Sequence, residues 1–226
     1  MIKSIAFICC DNGLGHVRRD ILIAGDLSKN YKVVVFAPQK KLNKFIKTNN
    51  FHETNLCFFD FATHTSSDLF LKEKSEIIKW INYLPNLKEF DYVICDNLPE
   101  ILFLRNDAIL ISQFFWHRVL INVNKEYYDF CENLLYNYDP VVIGSEIFSM
   151  PYIKDLKNFK SVGIIVDKSN KELLINKKKE KNLLITGGST SVIKNQLLDL
   201  IKLIEANKIN SINNIFLDPN LFINAN

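Results

Sequence analysis

Residues 13 to 20 read Gly-Leu-Gly-His-Val-Arg-Arg-Asp, a tight turn that delivers an imidazole and a guanidinium three residues apart. At the start of a helix His16 and Arg19 share one face. The free N–H groups of such a helix end favour an anion by about 0.3–1 kcal/mol at exposed sites. An imidazole held there is biased toward its neutral form, which can take a proton from a hydroxyl or water. A guanidinium clamps phosphate or orients an acidic partner. His16 and Arg19 are therefore the candidate catalytic pair, with Gly13 and Gly15 supplying positive φ and close backbone approach to a ligand.

A dinucleotide fingerprint would need glycine at position 18, which is Arg18, and the chain has no G-x-x-x-x-G-K-[ST] run. Nicotinamide, flavin and P-loop nucleotide chemistry are disfavoured. Asp96-Asn97 closes an apolar run and should border the same sheet edge as the glycine turn, with an Asp helix cap as the alternative. Phe115-Trp116-His117 follows the next apolar run, where Trp116 and His117 could meet a sugar or lipid. Core packing of Phe114 and Trp116 is the competing reading, and His117 and His64 have no paired carboxylate in view. A second glycine turn, Gly187-Gly188-Ser189, follows Leu184-Ile185-Thr186.

Apolar runs of four to eight residues alternate with helix-period segments, the pattern of a parallel sheet covered on both faces. The first unit is a strand from Ile5 to Cys9, a turn from Asp11 to Gly15 and a helix from His16 to Leu27 with Val17, Ile21, Ala24 and Leu27 on one face. Strands follow at Val33–Phe36, Leu56–Phe59, Tyr92–Cys95, Ile109–Ile111 and Val141–Ile143, with a last extended segment at Ser161–Val166. Helices are expected at Leu42–Ile46, Glu76–Tyr83, near Leu98, and as one long element from Arg118 to Tyr136. This is a Rossmann-like α/β domain over residues 1–167. A polar Lys/Asn/Glu-rich stretch at 168–181 is expected to be a linker, with a surface helix as the alternative. A second, incomplete α/β domain fills 182–226, with a strand at Asn182–Thr186, a helix to Ala206 and a strand at Asn214–Leu217.

Composition narrows the function classes. Of 226 residues, 48% are hydrophobic and 23% charged, within the ordinary globular range. The formal charge of +3 comes without a basic stripe interleaved with aromatics, which disfavours nucleic acid as a partner. Five cysteines without C-x-x-C spacing suit a reduced, cytoplasmic chain. No apolar stretch approaches the roughly 20 residues of a spanning helix, so membrane contact would be peripheral. No D-x-D pair occurs, which argues against a metal-dependent sugar transferase of the GT-A kind.

The segment Gly13 to Asp20, with Ile23-Ala24 and Leu27 after it, resembles the G-x-G-H-x-x-R opening of a group of GT-B-fold enzymes. That group includes the lipid-linked N-acetylglucosamine transferase of peptidoglycan synthesis and the nucleotide-sugar hydrolase of pseudaminic acid synthesis. The run Leu184 to Thr190 resembles the strand and Gly-Gly-Ser/Thr loop that opens the donor-binding domain of the same group.

The resemblance implies a metal-independent, inverting glycosyltransferase that needs no cofactor. His16 is then the general base, worth typically about 10²–10⁴-fold. Gly187, Gly188 and Ser189 hold the diphosphate of a UDP-sugar donor, and a glycan or lipid-linked acceptor of the cell envelope lies on the first domain. Gly13 and Gly15 then line the substrates, and by their place at the same sheet edge Asp96, Asn97, Trp116 and His117 are expected beside them. Contacts to nucleobase and ribose fall beyond Asn226 in the group's pattern, so the expectation is a truncated or split protein whose donor site a partner chain or homo-oligomer completes, or one that has lost turnover. The alternatives are a nucleotide-sugar hydrolase and a non-catalytic, acceptor-side subunit of a split transferase. The expected location is cytoplasmic or peripheral at the inner membrane face.

Overall fold

Seven segments, six of them mainly apolar, pair into one sheet. In the computed structural model they are β1 (Ser4–Ile8), β2 (Lys32–Ala37), β3 (Leu56–Asp60), β4 (Tyr92–Asp96), β5 (Ile109–Ile111), β6 (Val142–Ser145) and β7 (Phe159–Val162). Their order is β3-β2-β1-β4-β5-β6-β7, and every neighbouring pair is parallel. The structure describes residues 2–46, 55–63, 72–119, 122, 124–163, 165, 182–185, 194–206 and 214–217. The chain divides into two compact units, Met1–Ile165 and Val166–Asn226.

Alternation along the strands splits the core of the first unit in two. Ile5, Phe7, Val33, Val35 and Ile94 face one side, where they pack with Val17, Ile21 and Ala24 of α1 (Leu14–Leu27) and Leu42 of α2 (Gln39–Ile46). Ala6, Ile8, Val93, Cys95, Leu110 and Val142 face the other side. There they meet the 3₁₀ turns Lys79–Tyr83 and Pro99–Phe103, α5 (Lys125–Tyr138) and α6 (Pro151–Lys154). Two short helices complete this layer, α3 (Lys74–Ile77) and α4 (Trp116–Val119). Among the described residues no helix is long and apolar enough to cross a membrane.

Two expected helices break in the structure, each for a local reason. The long helix from Arg118 to Tyr136 is α4 and α5, because Asn124 leaves helical geometry at φ −141° and accepts the Tyr127 N–H at 2.9 Å as a cap. The Glu76–Tyr83 helix tightens into a 3₁₀ turn after Ile77, and Leu84, before Pro85, is extended. The last strand begins at Phe159, two residues ahead of its expected start.

In the second unit β8 (Asn182–Ile185) pairs in parallel with β9 (Asn214–Leu217), and α7 (Lys194–Ala206) lies between them in the chain. The expected linker at 168–181, the Gly187-Gly188-Ser189 turn and His64 lie outside the described residues.

Gly144 on β6 shows how tightly the sheet meets its far layer. A Cβ there would lie 2.5 Å from the Ser112 carbonyl, 2.5 Å from Ser149 Oγ and 2.9 Å from Phe159 Cε2. Gly144→Ala is therefore expected to cost about 1–3 kcal/mol by overpacking, read as a lowered Tm in thermal unfolding.

The far layer also holds Glu100, fully buried, accepting from Trp80 Nε1 at 3.2 Å and from Tyr127 Oη at 3.0 Å. Burial pushes its pKa up to about 7 from an ordinary 4.5. The folded chain then keeps a proton that the unfolded chain releases. Its contribution is full below about pH 4.5 and is lost as pH rises toward 7, on the order of 3 kcal/mol in all. Glu100→Gln should remove that slope, seen as a smaller difference in urea stability between about pH 5 and pH 8 than in the parent.

Candidate active site

Strand order reverses between β1 and β4, and open α/β sheets bind ligands beyond the carboxyl ends of strands at such a switch. Phe7 and Ile94 face α1, so Cys9 just past β1 and Asp96 at the end of β4, each two residues further on, face it too. From α1, His16, Arg19 and Asp20 stand at i, i+3 and i+4 on the facing side. Helical spacing and strand spacing thus converge on one cluster.

Gly13 precedes α1 with φ 110° and ψ 156°, a backbone that suits glycine, and no side chain caps the helix start. Gly15 is different. Gly13 supplies the positive φ of this turn, whereas Gly15 is helical and exposed, with nothing within 4 Å of where its Cβ would be. The expectation of left-handed geometry at both glycines holds at Gly13 alone. What Gly15 leaves is open space in front of the first helical turn.

His16 Nδ1 lies 2.7 Å from Asp96 Oδ2. Arg19 Nη2 bonds Asp96 Oδ1, and Arg19 Nε reaches Asp20 Oδ1 at 3.4 Å. The Asp96 side chain is fully buried, while His16 keeps 18% of its side-chain exposure. Burial alone would raise the Asp96 pKa, but His16 and then Arg19 outweigh it and hold the carboxyl below its usual range. An anion accepting at Nδ1 places the proton of the neutral ring there and leaves the Nε2 lone pair open. Among the described residues Nε2 has no hydrogen-bond partner. The helix-cap alternative for Asp96 fails, since Leu98 stands at the start of the Pro99–Phe103 turn and no side chain caps it.

Asn97 adopts φ 58°, uncommon for a residue other than glycine, and it turns its side chain into the loop after β5. With its amide oriented to match donors to acceptors, it donates to Ser112 Oγ at 2.9 Å and to the Phe114 carbonyl and accepts from Trp116 Nε1 at 3.2 Å. Asn97 is 99% buried in these contacts, so it braces the loop and does not face a ligand. That loop sets Phe114 edge-on to His16, with ring centroids 6.4 Å apart, and Trp116 5.0 Å behind Phe114. Trp116 is half-buried, in line with the packing alternative.

His117 is a correction. It was expected at the ligand edge, but α4 begins one residue before it and turns the ring inward, stacked on Phe115 at 5.5 Å and fully buried. Its Nε2 lies 2.7 Å from Glu132 Oε1, and Arg118 grips the same carboxylate through Nε at 2.7 Å and Nη2 at 2.5 Å. Burial opposes the Glu132 charge, yet His117 and Arg118 hold its pKa at about 2. Burial lowers the His117 pKa despite that neighbour. The group fastens α4 to α5.

Beside Arg19 a cleft of about 160 Å³ opens at the carboxyl ends of β5, β6 and β7, lined by Ser112, Gln113 and Ser145 with Ile143, Phe148 and Val162. Among the described residues no group of three His, Cys, Asp or Glu side chains is placed to hold a metal ion. Sequence reasoning missed Asp20 and did not pair Asp96 with His16. Asp20 had a signal, as a carboxylate set within the buried stripe Val17, Ile21 and Ala24. The pairing had none, because 80 residues separate the partners.

No family model matches the sequence, and no curated protein matches it. Solved structures match in fold. Phytolacca americana UGT2 complexed with UDP-2fluoro-glucose and pterostilbene aligns at a TM-score of 0.54 and 12% identity, over 91% of this chain and 64% of its own. Arabidopsis thaliana UGT89C1 complexed with UDP aligns at 0.52 and 11% identity, over 96% of this chain and 66% of its own. LpCGTa in complex with UDP aligns at 0.54 and 14% identity, over 91% of this chain and 64% of its own. The chain thus spans slightly less than two thirds of the length of these glycosyltransferases. At such identities the likeness shows the fold, a Rossmann-like α/β architecture shared with GT-B enzymes.

Proposed function

We propose that the chain is the acceptor-side part of an inverting, metal-independent glycosyltransferase that uses a UDP-sugar. The contact that carries this assignment is the 2.7 Å pairing of His16 Nδ1 with buried Asp96 at the switch point of the sheet. It supplies a base whose other ring nitrogen has no hydrogen-bond partner among the described residues. The acceptor O–H gives its proton to Nε2 and its oxygen forms a bond to the anomeric carbon from the face opposite the nucleotide. The bond from that carbon to the diphosphate oxygen breaks, UDP departs with the electron pair, and the configuration inverts. Asp96 balances the imidazolium as it forms.

Several observations support the donor and acceptor classes. The glycosyltransferases that share the fold were solved with UDP or a UDP-sugar analogue. The uncapped N-terminus of α1 behind Gly13 offers backbone amides to a diphosphate. Phe148 lines the cleft beside Arg19 and is 57% exposed, with Ile147 and Met150 exposed next to it. A partly apolar acceptor, such as a lipid-linked glycan of the cell envelope met at the inner membrane face, fits that rim. No cofactor takes part, and the nucleotide sugar enters as substrate.

Product analysis with purified chain, UDP-sugar and candidate acceptors tests the assignment. Glycosylated acceptor supports it. Free sugar released at the same rate without acceptor would mean a hydrolase, and no binding of UDP in calorimetry would mean that this chain does not hold the donor by itself.

A further inference from the structure

Asp20 occupies a place that α1 otherwise gives to apolar side chains. Val17, Ile21 and Ala24 around it are buried, and Asp20 is buried as completely. Its polar neighbours are Asp96 from β4, Arg19 from its own helix and the Cys9 thiol after β1, with His16 one turn before it. Oδ1 receives only the long 3.4 Å contact from Arg19 Nε, and Oδ2 has no hydrogen-bond partner among the described residues. A polar group buried this way costs stability unless it is paired, and the polar side chains that face it from the sheet are Asp96 and Cys9.

Two carboxyl groups share this water-poor cluster with one guanidinium and one imidazole. Like charges so placed do not both ionise, so one carboxyl keeps a proton. Asp96 receives both His16 and Arg19 Nη2, which makes it the anion and Asp20 the acid. Consistent with this, burial first and the Asp96 charge second push the Asp20 pKa well above the carboxylate range, against the pull of Arg19.

We propose that Asp20 is a positioning residue for the His16–Asp96 pair, seating the Arg19 guanidinium and leaving the negative charge of the cluster on Asp96. This rests on His16 being the base. With the charge kept on Asp96, the His16 proton stays on Nδ1 and the lone pair on Nε2. When His16 takes the acceptor proton, the new imidazolium faces an undivided carboxylate. Asp20 keeps its own proton throughout.

Two variants and two readouts test this. Asp20→Asn keeps a neutral polar group of the same shape, Asp20→Leu removes it while filling the space, and thermal unfolding confirms that each variant folds. Nitrogen-15 NMR of the full chain with labelled histidine reads the His16 tautomer with no substrate present. The parent and Asp20→Asn should hold the Nδ1–H form, and Asp20→Leu should mix both tautomers. In the transferase assay Asp20→Leu should lose at least about tenfold in kcat with donor KM unchanged, and Asp20→Asn should stay within about threefold. A parent-like tautomer and kcat in Asp20→Leu overturns the proposal, as does a loss in Asp20→Asn equal to that in Asp20→Leu. If the tautomers shift as described but no sugar is transferred by the parent, the positioning role stands and the assignment of the reaction falls.

Discussion

His16→Ala is expected to lower kcat by about 10²–10⁴-fold, roughly 3–5 kcal/mol of barrier, with Tm nearly unchanged. The two halves of that expectation have separate physical origins. Loss of turnover follows from removing the nitrogen that takes the acceptor proton as the new bond forms. Preserved stability follows from where the ring sits: it is partly exposed at a helix start, outside the stripe of Val17, Ile21 and Ala24 that carries the packing of α1. Asp96 keeps Arg19 as its partner when the imidazole is gone, so no buried charge is stranded. Steady-state kinetics beside thermal unfolding checks both at once. A variant that lost stability and activity together would point to a packing role for His16.

Asp96→Asn should be nearly as damaging, about 10²–10⁴-fold in kcat, the scale on which loss of the orienting carboxylate acts in serine-protease triads. An amide in place of Asp96 Oδ2 can present N–H to Nδ1, which moves the ring proton to Nε2 and removes the lone pair that does the work. Donor KM should change little, because Asp96 is buried beneath His16 and meets no ligand itself. Stability should fall by less than the roughly 3–5 kcal/mol that stranding a buried charge costs, since Arg19 still holds Asp20 Oδ1 and that carboxyl can ionise once Asp96 is neutral. The kcat and KM values of Asp96→Asn, with its urea stability beside Asp96→Ala, check these expectations.

The first unit was legible because its inner strands β1, β2, β4, β5 and β6 are mostly buried and announce themselves as apolar runs. Six of the seven strand segments fall within a residue or two of their expected ends, and the glycine turn stands where the β1 to α1 connection needs positive φ at Gly13. Helix breaks were less legible. Asn124 looks like any polar residue in a helical segment until its side chain is seen to accept the Tyr127 N–H.

At the site, His16 and Arg19 could be read from spacing along one helix. Their tie to Asp96 depends on β4 lying beside β1, a property of strand order that local pattern does not carry. The same limit explains Asn97 and His117. Both sit at the expected sheet edge, but one braces the loop after β5 and the other meets Glu132 on α5, and neither partner was visible from its neighbours in sequence.

The anomeric configuration of the product tests the central claim most directly. With a UDP-α-sugar and an acceptor, the proton coupling at the new glycosidic carbon should report the β-anomer, formed by the parent chain and all but lost in His16→Ala. An α-linked product, or equal rates of transfer with and without the imidazole, would contradict a base at His16 held in register by Asp96.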